Sequence, residues 1–367
     1  MDNCDIKVTV IIPIYNAAEY LRPALDSVID QTLKEIEIIC IDDGSTDNSL
    51  EIIKEYQKND ERIRIVTETN GGPALARNNG IRRARGEYVA FLDADDFFEL
   101  DMLENMYAVA RANDLDITIA NYDIFNSHKA VFTKPTYAEH EDIYTPGTVT
   151  SKNEYPDYIF SSTNGSAWNK LFSTRFIIEK KLTFLTEVRM YEDVYFMITA
   201  LSLAERVGKV QKTLIHHRIY SEQSRAKMFK KYFSQVPAIY LKAKEFLMSC
   251  GMYAPLSVSF LNLSASRIFK IFNILPNDEK EDFWTLLKSN YVESLGWRSR
   301  ENDEYEDVEV CEFVANLELY TYKQYRKRLL RGNALAADKI PRARKNARFR
   351  KVFSAMFSWL VPKKKTR

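Results

Sequence analysis

"KVTVIIPIYNAAEYLRPALDSVIDQTLKEIEIICIDD", residues 7–43, carries the signals that decide the fold. Its opening, "KVTVIIPIY" (7–15), is a nearly continuous apolar, β-branched run, as expected for a strand covered on both faces. "AAEYLRPALDSVIDQ" (17–31) then places Leu21, Leu25, Val28 and Ile29 on one helical face. "EIEIICIDD" (35–43) returns to strand. The alternation continues outward from this unit. "STDNSLEIIKEYQ" (45–57) begins with good cap residues and sets Leu50, Ile53 and Tyr56 on one side. "RIRIVTE" (62–68) reads as a strand, and "GGPALARNNGIRRA" (71–84) as a helix with Pro73 in its first turn. "EYVAFLDAD" (87–95), "DMLENMYAVARAN" (101–113) and "DITIANYDI" (116–124) follow as strand, helix and strand. Strands separated by helices at this spacing predict an α/β, Rossmann-like fold with a mainly parallel sheet.

The pattern loosens from 125 to 225 into loops, short strands and short helices, and beyond about Arg225 it becomes long helical stretches with aromatic faces. The expected division is a sheet domain over 1–225 with halves 1–125 and 126–225, a helical domain over 226–335, and a basic tail over 336–367. The chain of 367 residues is ample for such cores. Its net charge of +1 conceals an asymmetry: 336–367 holds eleven Lys/Arg and one acid, a local +10, which leaves −9 on the rest. Four scattered cysteines (Cys4, Cys40, Cys250, Cys311) show neither a metal-ligand spacing nor a disulfide framework, which favours a reducing compartment. The N-terminus lacks a basic n-region, and no apolar run approaches the ~20 residues of a membrane span. The expected location is the cytoplasm, peripheral on the inner face of the cell membrane.

Ligands of parallel α/β sheets bind at the carboxyl ends of the strands. There strand one presents Pro13, Tyr15 and Asn16, strand two Asp42, Asp43 and Gly44, and strand four Asp93, Asp95 and Asp96. Taken singly, "DDGSTDNS" also reads as a turn with a helix cap, and "DADD" as a solvated loop. Three polar clusters at one sheet edge point instead to a shared ligand. An Asp-x-Asp at a strand end fits a hard divalent cation bridging to a diphosphate, because Mg²⁺ takes one or two carboxylates plus substrate phosphates. Neither a Gly-x-Gly-x-x-Gly nor a phosphate-loop Lys occurs. The glycines of "NGGPALARNNG" (70–80) form an anion-facing corner, with Arg77 and Asn78 on its helix as ligand contacts or as plain surface residues.

"VIIPIYN", "IDDGSTDNS", "N-G-G-x-x-x-ARN-x-G" and "GEYVAFLDADD", in this order, resemble the nucleotide-sugar half of family 2 inverting glycosyltransferases, which have the GT-A fold. The resemblance covers about 6–125. It implies that Pro13 and Tyr15 flank the base, Asp43 contacts the uracil or ribose, and Asp93 lies near the ribose. Asp95 is the implied metal ligand, for Mg²⁺ or Mn²⁺, with Asp96 supporting it. "AWNKLF" (167–172) and "MYEDVYF" (190–196) resemble the acceptor portion, in which Asp193 of the Glu192–Asp193 pair is the base that takes the acceptor hydroxyl's proton. By itself "YEDVYF" also reads as a helix start with acids near its positive end. Trp168, Asn169 and Lys170 are candidate acceptor contacts, Trp168 equally a core residue. "LIHHRIYSEQS" (214–224) looks like the closing strand and loop, with His217 and Arg218 near the diphosphate or metal and His216 on the opposite face.

The tail (339–367) places Phe349, Val352, Phe353, Met356 and Leu360 in one stripe flanked by basic residues, the pattern of an interfacial helix on an anionic membrane. The alternatives are a terminal helix packed on the helical region, and nucleic-acid binding, which no recognised module accompanies. The expected activity is metal-dependent transfer of a hexosyl group with inversion. The donor is a nucleotide sugar, UDP-linked by the resemblance, and the acceptor a hydroxyl on a saccharide or lipid-linked carrier of surface polysaccharide or glycolipid. A nucleotidyltransferase would be expected to open with a Gly-rich, Arg-containing loop, which "PIYNAAEYLRP" lacks. A non-catalytic sugar-nucleotide or membrane scaffold is the other alternative. Oligomeric state stays open.

Overall fold

A computed structural model describes residues 6–135, 143–145, 147–219, 232–298 and 304–330. The tail over 336–367, with its membrane stripe, and the end of "LIHHRIYSEQS" lie outside the described residues. Contacts divide the described chain into two compact units. One runs to Lys134 and from 143 to Phe260, and the other comprises the residues from Leu261 onward.

In the first unit the predicted alternation becomes β1 (Val8–Ile14), α1 (Leu21–Ile29), β2 (Ile36–Asp42), α2 (Ser49–Gln57), β3 (Ile63–Thr67), α3 (Pro73–Ile81) and β4 (Tyr88–Phe91). Then come β5 (Phe97–Phe98), α4 (Met102–Ala112), β6 (Ile117–Asn126), β7 (Val131–Thr133), β8 (Lys170–Ser173), α5 (Thr174–Glu179), α6 (Glu192–Leu203), β9 (Val207–Ile219) and α7 (Val236–Ser249). β3, β2, β1 and β4 pair in parallel in that order. β8 is inserted antiparallel between β4 and β6, β9 runs parallel to β6, and β5 closes that edge antiparallel to β9. The continuous apolar runs have the cause expected of them. Val8, Val10, Ile11 and Ile12 are fully buried between layers of helices, each stabilising the fold by roughly 1.5–3 kcal/mol.

Two boundaries differ from the sequence pattern. β4 stops at Phe91, because Asp96 N turns back to Asp93 O (3.0 Å), so the acids sit on a loop rather than on the strand. α1 begins at Leu21, after a loop in which Asn16 adopts a left-handed φ of 49°.

The second unit holds most of α8 (Ser257–Ile274), together with α9 (Asn277–Asn290), α10 (Val308–Leu319) and α11 (Tyr322–Leu330). Its aromatic periodicity becomes a core in which Trp284 stacks on Tyr325 (4.4 Å between centroids) and meets Phe272 and Phe313. Lys288 Nζ donates to the carbonyls of Leu317 and Glu318 (2.7 Å each), satisfying acceptors at the end of α10. No helix among the described residues is long and apolar enough to cross a membrane.

Candidate active site

The loops after β1 and β2 are stitched together by short polar side chains. Asn16 Oδ1 accepts from Thr46 N (2.8 Å) and Asp47 N (3.3 Å), while Ala18 N donates to Asp47 Oδ2 (3.0 Å). Asp42 is buried and accepts from Ser45 N (3.3 Å). Asp43, also buried, clasps the corner before α3: Gly71 N donates to its Oδ1 (2.7 Å) and Gly72 N to its Oδ2 (2.8 Å). Pro13 is half-buried beside these loops, and the Tyr15 ring stands 51% exposed above them.

The acid loop is held by the last strand of the sheet. Asp96 is fully buried and accepts from Arg218 N (2.7 Å), and its Oδ2 lies 3.0 Å from His217 Nδ1. Burial pushes the Asp96 carboxyl above its ordinary range, against the opposing pull of His217. For His217 burial works the other way, and the Asp96 carboxylate outweighs it and raises the imidazole. Arg218 Nε donates to Asp95 O (2.7 Å), and its guanidinium lies over the rings of Tyr20, Phe97 and Phe125 at 5.1–5.4 Å. Asp95 is partly exposed on this loop.

A third element faces the acids. Tyr191, with a left-handed φ of 62°, starts α6, so Glu192 and Asp193 occupy its first turn. Asp193 Oδ2 accepts from Ala167 N (3.1 Å), whereas its buried Oδ1 makes no aligned hydrogen bond and is met only by an ion pair. Between this turn and the acid loop lies the Arg77 guanidinium, 5% exposed: Nη2 reaches Asp93 Oδ1 (2.6 Å), Nη1 reaches Glu192 Oε1 (2.7 Å), and Asp193 Oδ1 lies 3.2 Å from Nη1. Burial alone would depress the guanidinium, but Asp193, Asp93 and Glu192 outweigh it and hold it charged. Burial pushes the Asp193 carboxyl up to about 7, with Arg77 opposing and the charges of Glu192 and Asp93 adding to the rise.

The structure thus gathers Arg77, Asp93, Glu192 and Asp193 into one cluster, and Asp96, His217, Arg218 and Trp168 into another. Trp168 is 5% exposed and stacks on His217. Asn78, Asn169 and Lys170 turn inward. Asn78 bonds both the N and O of Phe184 (2.8 and 2.9 Å). Asn169 Nδ2 donates to Ala120 O (2.8 Å). Lys170 Nζ donates to Asn164 Oδ1 (2.6 Å), Ser166 O (2.7 Å) and Asn169 Oδ1 (2.7 Å), shaping the loop that presents Ala167 N and Trp168. His216 points to the other face, between Asp123 (2.6 Å) and Glu99 (2.8 Å), as strand alternation requires. Sequence reading missed Ala167, whose main-chain amide carries no side-chain signal, and Phe184, whose ring lies 5.3 Å under Arg77.

A sequence profile of Glycosyl transferase family 2 matches residues 9–173. The glycosyltransferase GlyA of Streptococcus pneumoniae is 36% identical over 217 residues, which are 59% of this chain but only 31% of GlyA. EpsH of Bacillus subtilis is 34% identical over 243 residues, 65% of this chain and 69% of EpsH. Among solved structures, S. aureus TarS 1-349 in complex with UDP-GlcNAc superposes with a TM-score of 0.68 at 19% identity, covering 89% of this chain and 92% of that one. The likeness establishes the GT-A fold.

Proposed function

Because the chain belongs to glycosyl transferase family 2, we propose that it transfers a hexosyl group from a nucleotide-linked donor to an acceptor hydroxyl with inversion. The observation that carries this reading is the Asp193 carboxylate. One oxygen is tied to Ala167 N, the other is ion-paired with Arg77 Nη1 at 3.2 Å without an aligned hydrogen bond, and its proton affinity is poised near neutrality. A base with these properties accepts the acceptor hydroxyl's proton through Oδ1 as that oxygen bonds to the anomeric carbon. The bond from the anomeric carbon to the nucleoside diphosphate breaks on the opposite side, which inverts the centre. Positioned bases of this kind contribute roughly 10²–10⁴-fold.

On the donor side, Tyr15 and Pro13 flank the base, and Asp43 and Asp93 take the uracil and ribose. Asn16, Asp42, Arg77, Asn78 and Asp96 hold those groups in place. Trp168 and Glu192 line the acceptor side, with Asn169 and Lys170 buried behind them as supports of the loop, and His217 and Arg218 lie at the diphosphate end. TarS was solved with UDP-GlcNAc, which supports a UDP-linked donor. Among the described residues no group of three acidic, His or Cys side chains stands ready as a cation cage. One partly exposed carboxylate beside a diphosphate site nevertheless suits Mg²⁺ or Mn²⁺, which takes its other ligands from phosphate and water. Asp95 would hold the ion, which supplies charge neutralisation for the departing diphosphate. The basic 336–367 segment favours an acceptor at an anionic membrane face.

Release of UDP from a panel of UDP-sugars, with and without Mg²⁺ or Mn²⁺, tests the reading in the wild type, Asp95→Ala and Asp193→Ala. Turnover by the wild type and its loss in both variants are expected; undiminished turnover in Asp193→Ala would remove the base assignment. Pyrophosphate release from a nucleoside triphosphate and a sugar phosphate would support a nucleotidyltransferase instead.

A further inference from the structure

Arg77 is turned away from open space. It is 95% buried on α3, and Nη1 and Nη2 are both committed to carboxylates from two distant segments, Asp93 after β4 and Glu192 at the start of α6. The next residue, Asn78, pins both main-chain polar groups of Phe184, and the Phe184 ring lies 5.3 Å from the Arg77 guanidinium. This one turn of α3 therefore fixes both the approach to α6 and the charge around its first turn. We propose that Arg77 is a positioning residue for the base: it aligns Asp193 toward the donor-side acid loop and keeps it available as a carboxylate.

This inference rests on the transferase reading. Three carboxylates meet one guanidinium, a formal surplus of negative charge in a buried place, so removal of Arg77 leaves them facing one another. The charged groups facing Asp193 are Arg77 from α3, Asp93 from the loop after β4, and Glu192 from its own helix; the 163–169 loop contributes the Ala167 amide. Arginine is required rather than any cation, because its planar fork reaches separate carboxylates at once, whereas an ammonium is a point charge on a flexible stem.

Two readouts test this in the full-length protein. The first is the carboxyl ¹³C shift of Asp193, assigned by its loss in Asp193→Asn and followed against pH in wild type, Arg77→Lys and Arg77→Gln. The midpoint is expected to rise by about one pH unit or more in Arg77→Gln, and less in Arg77→Lys, which retains the charge. This readout needs no turnover, so it stands even if the transferase reading fails. The second, on an active wild type, is the division between kcat and donor KM. A kcat loss of roughly tenfold or more with donor KM within about twofold is expected for both variants. An unmoved Asp193 midpoint in a folded Arg77→Gln protein, or a loss confined to donor KM, overturns the proposal. An inactive wild type with a shifted midpoint would overturn the transferase reading alone.

Discussion

Trp168 and His217 stack face to face, 5.1 Å between ring centroids and 10° from parallel. The stack joins the loop before β8 to the last strand, and Asp96 holds its far side through His217. Trp168 is thereby a brace for the acid loop. Replacing Asp96 with Asn removes a buried carboxylate from beneath His217 and the Arg218 amide. Asp96→Asn is expected to lower unfolding free energy by about 3 kcal/mol, read by denaturant titration. Trp168→Phe, which keeps a stacking ring, is expected to cost less than half of that. An Asp96→Asn protein as stable as wild type would show that the pair does not secure the loop.

The raised Asp193 carboxyl has opposite effects on rate and on stability. On the proposed base role transfer needs the carboxylate, so kcat/KM is expected to climb as pH rises and reach half its plateau near about 7. Glu192→Gln removes a neighbouring negative charge and should move this limb to lower pH. Stability runs the other way. The folded state holds the proton up to about 7 while the unfolded chain releases it near 3.8, so stability falls as pH rises across that window and levels off above it. The difference in denaturation midpoint between wild type and Asp193→Asn, measured from pH 4 to 8, should therefore vary with pH. A constant difference would show that Asp193 is not perturbed by folding.

Gly44 carries a φ of +74°, and a Cβ there would stand 3.0 Å from Asn70 N and 3.2 Å from Glu68 O. Both neighbours are main chain and cannot rotate aside. Gly44→Ala is expected to destabilise by about 1–3 kcal/mol from backbone strain alone. It should also weaken UDP binding, measured calorimetrically, because the displaced segment adjoins the corner that Asp43 clasps. Unchanged UDP affinity in a destabilised variant would separate this turn from the proposed nucleotide site.

Lys170 is fully buried among oxygens of Asn164, Ser166 and Asn169. Lys170→Met keeps the stem and removes the charged donors, leaving those acceptors unpaired. A loss of about 2–3 kcal/mol is expected, together with faster proteolysis across 160–168. Wild-type stability would show that the loop keeps its shape without the ammonium.

Much of the donor half was legible because its signals are local. Six of the seven residues of β1 and five of the seven of β2 are apolar, enough to announce doubly covered strands, and the polar tips follow from where those strands end. The insertion of β8 between β4 and β6 was not legible, since pairing across a sheet leaves no trace in the spacing of four residues such as "KLFS". Residue types also concealed direction. Lys170 and Asn169 look like ligand contacts in "AWNKLF" and turn inward, because a short loop with several exposed carbonyls is satisfied by a lysine from its own end. The pairing of Arg77 with Glu192 spans 115 positions, and no periodicity reports a contact of that range.

The acid loop near residue 95 is completed by a strand made far later: Asp96 meets Arg218 at a separation of 122 positions. On a ribosome adding residues one by one, the parallel core of β1 to β4 can collapse while the loop still lacks both of its partners. A nascent chain or a proteolytic fragment ending at 125 would carry the tips of β1 and β2 without a fastened acid loop or the Asp193 turn opposite it. The acid loop therefore takes its final shape only when β9 docks, which makes its order a reporter of whether the sheet has closed.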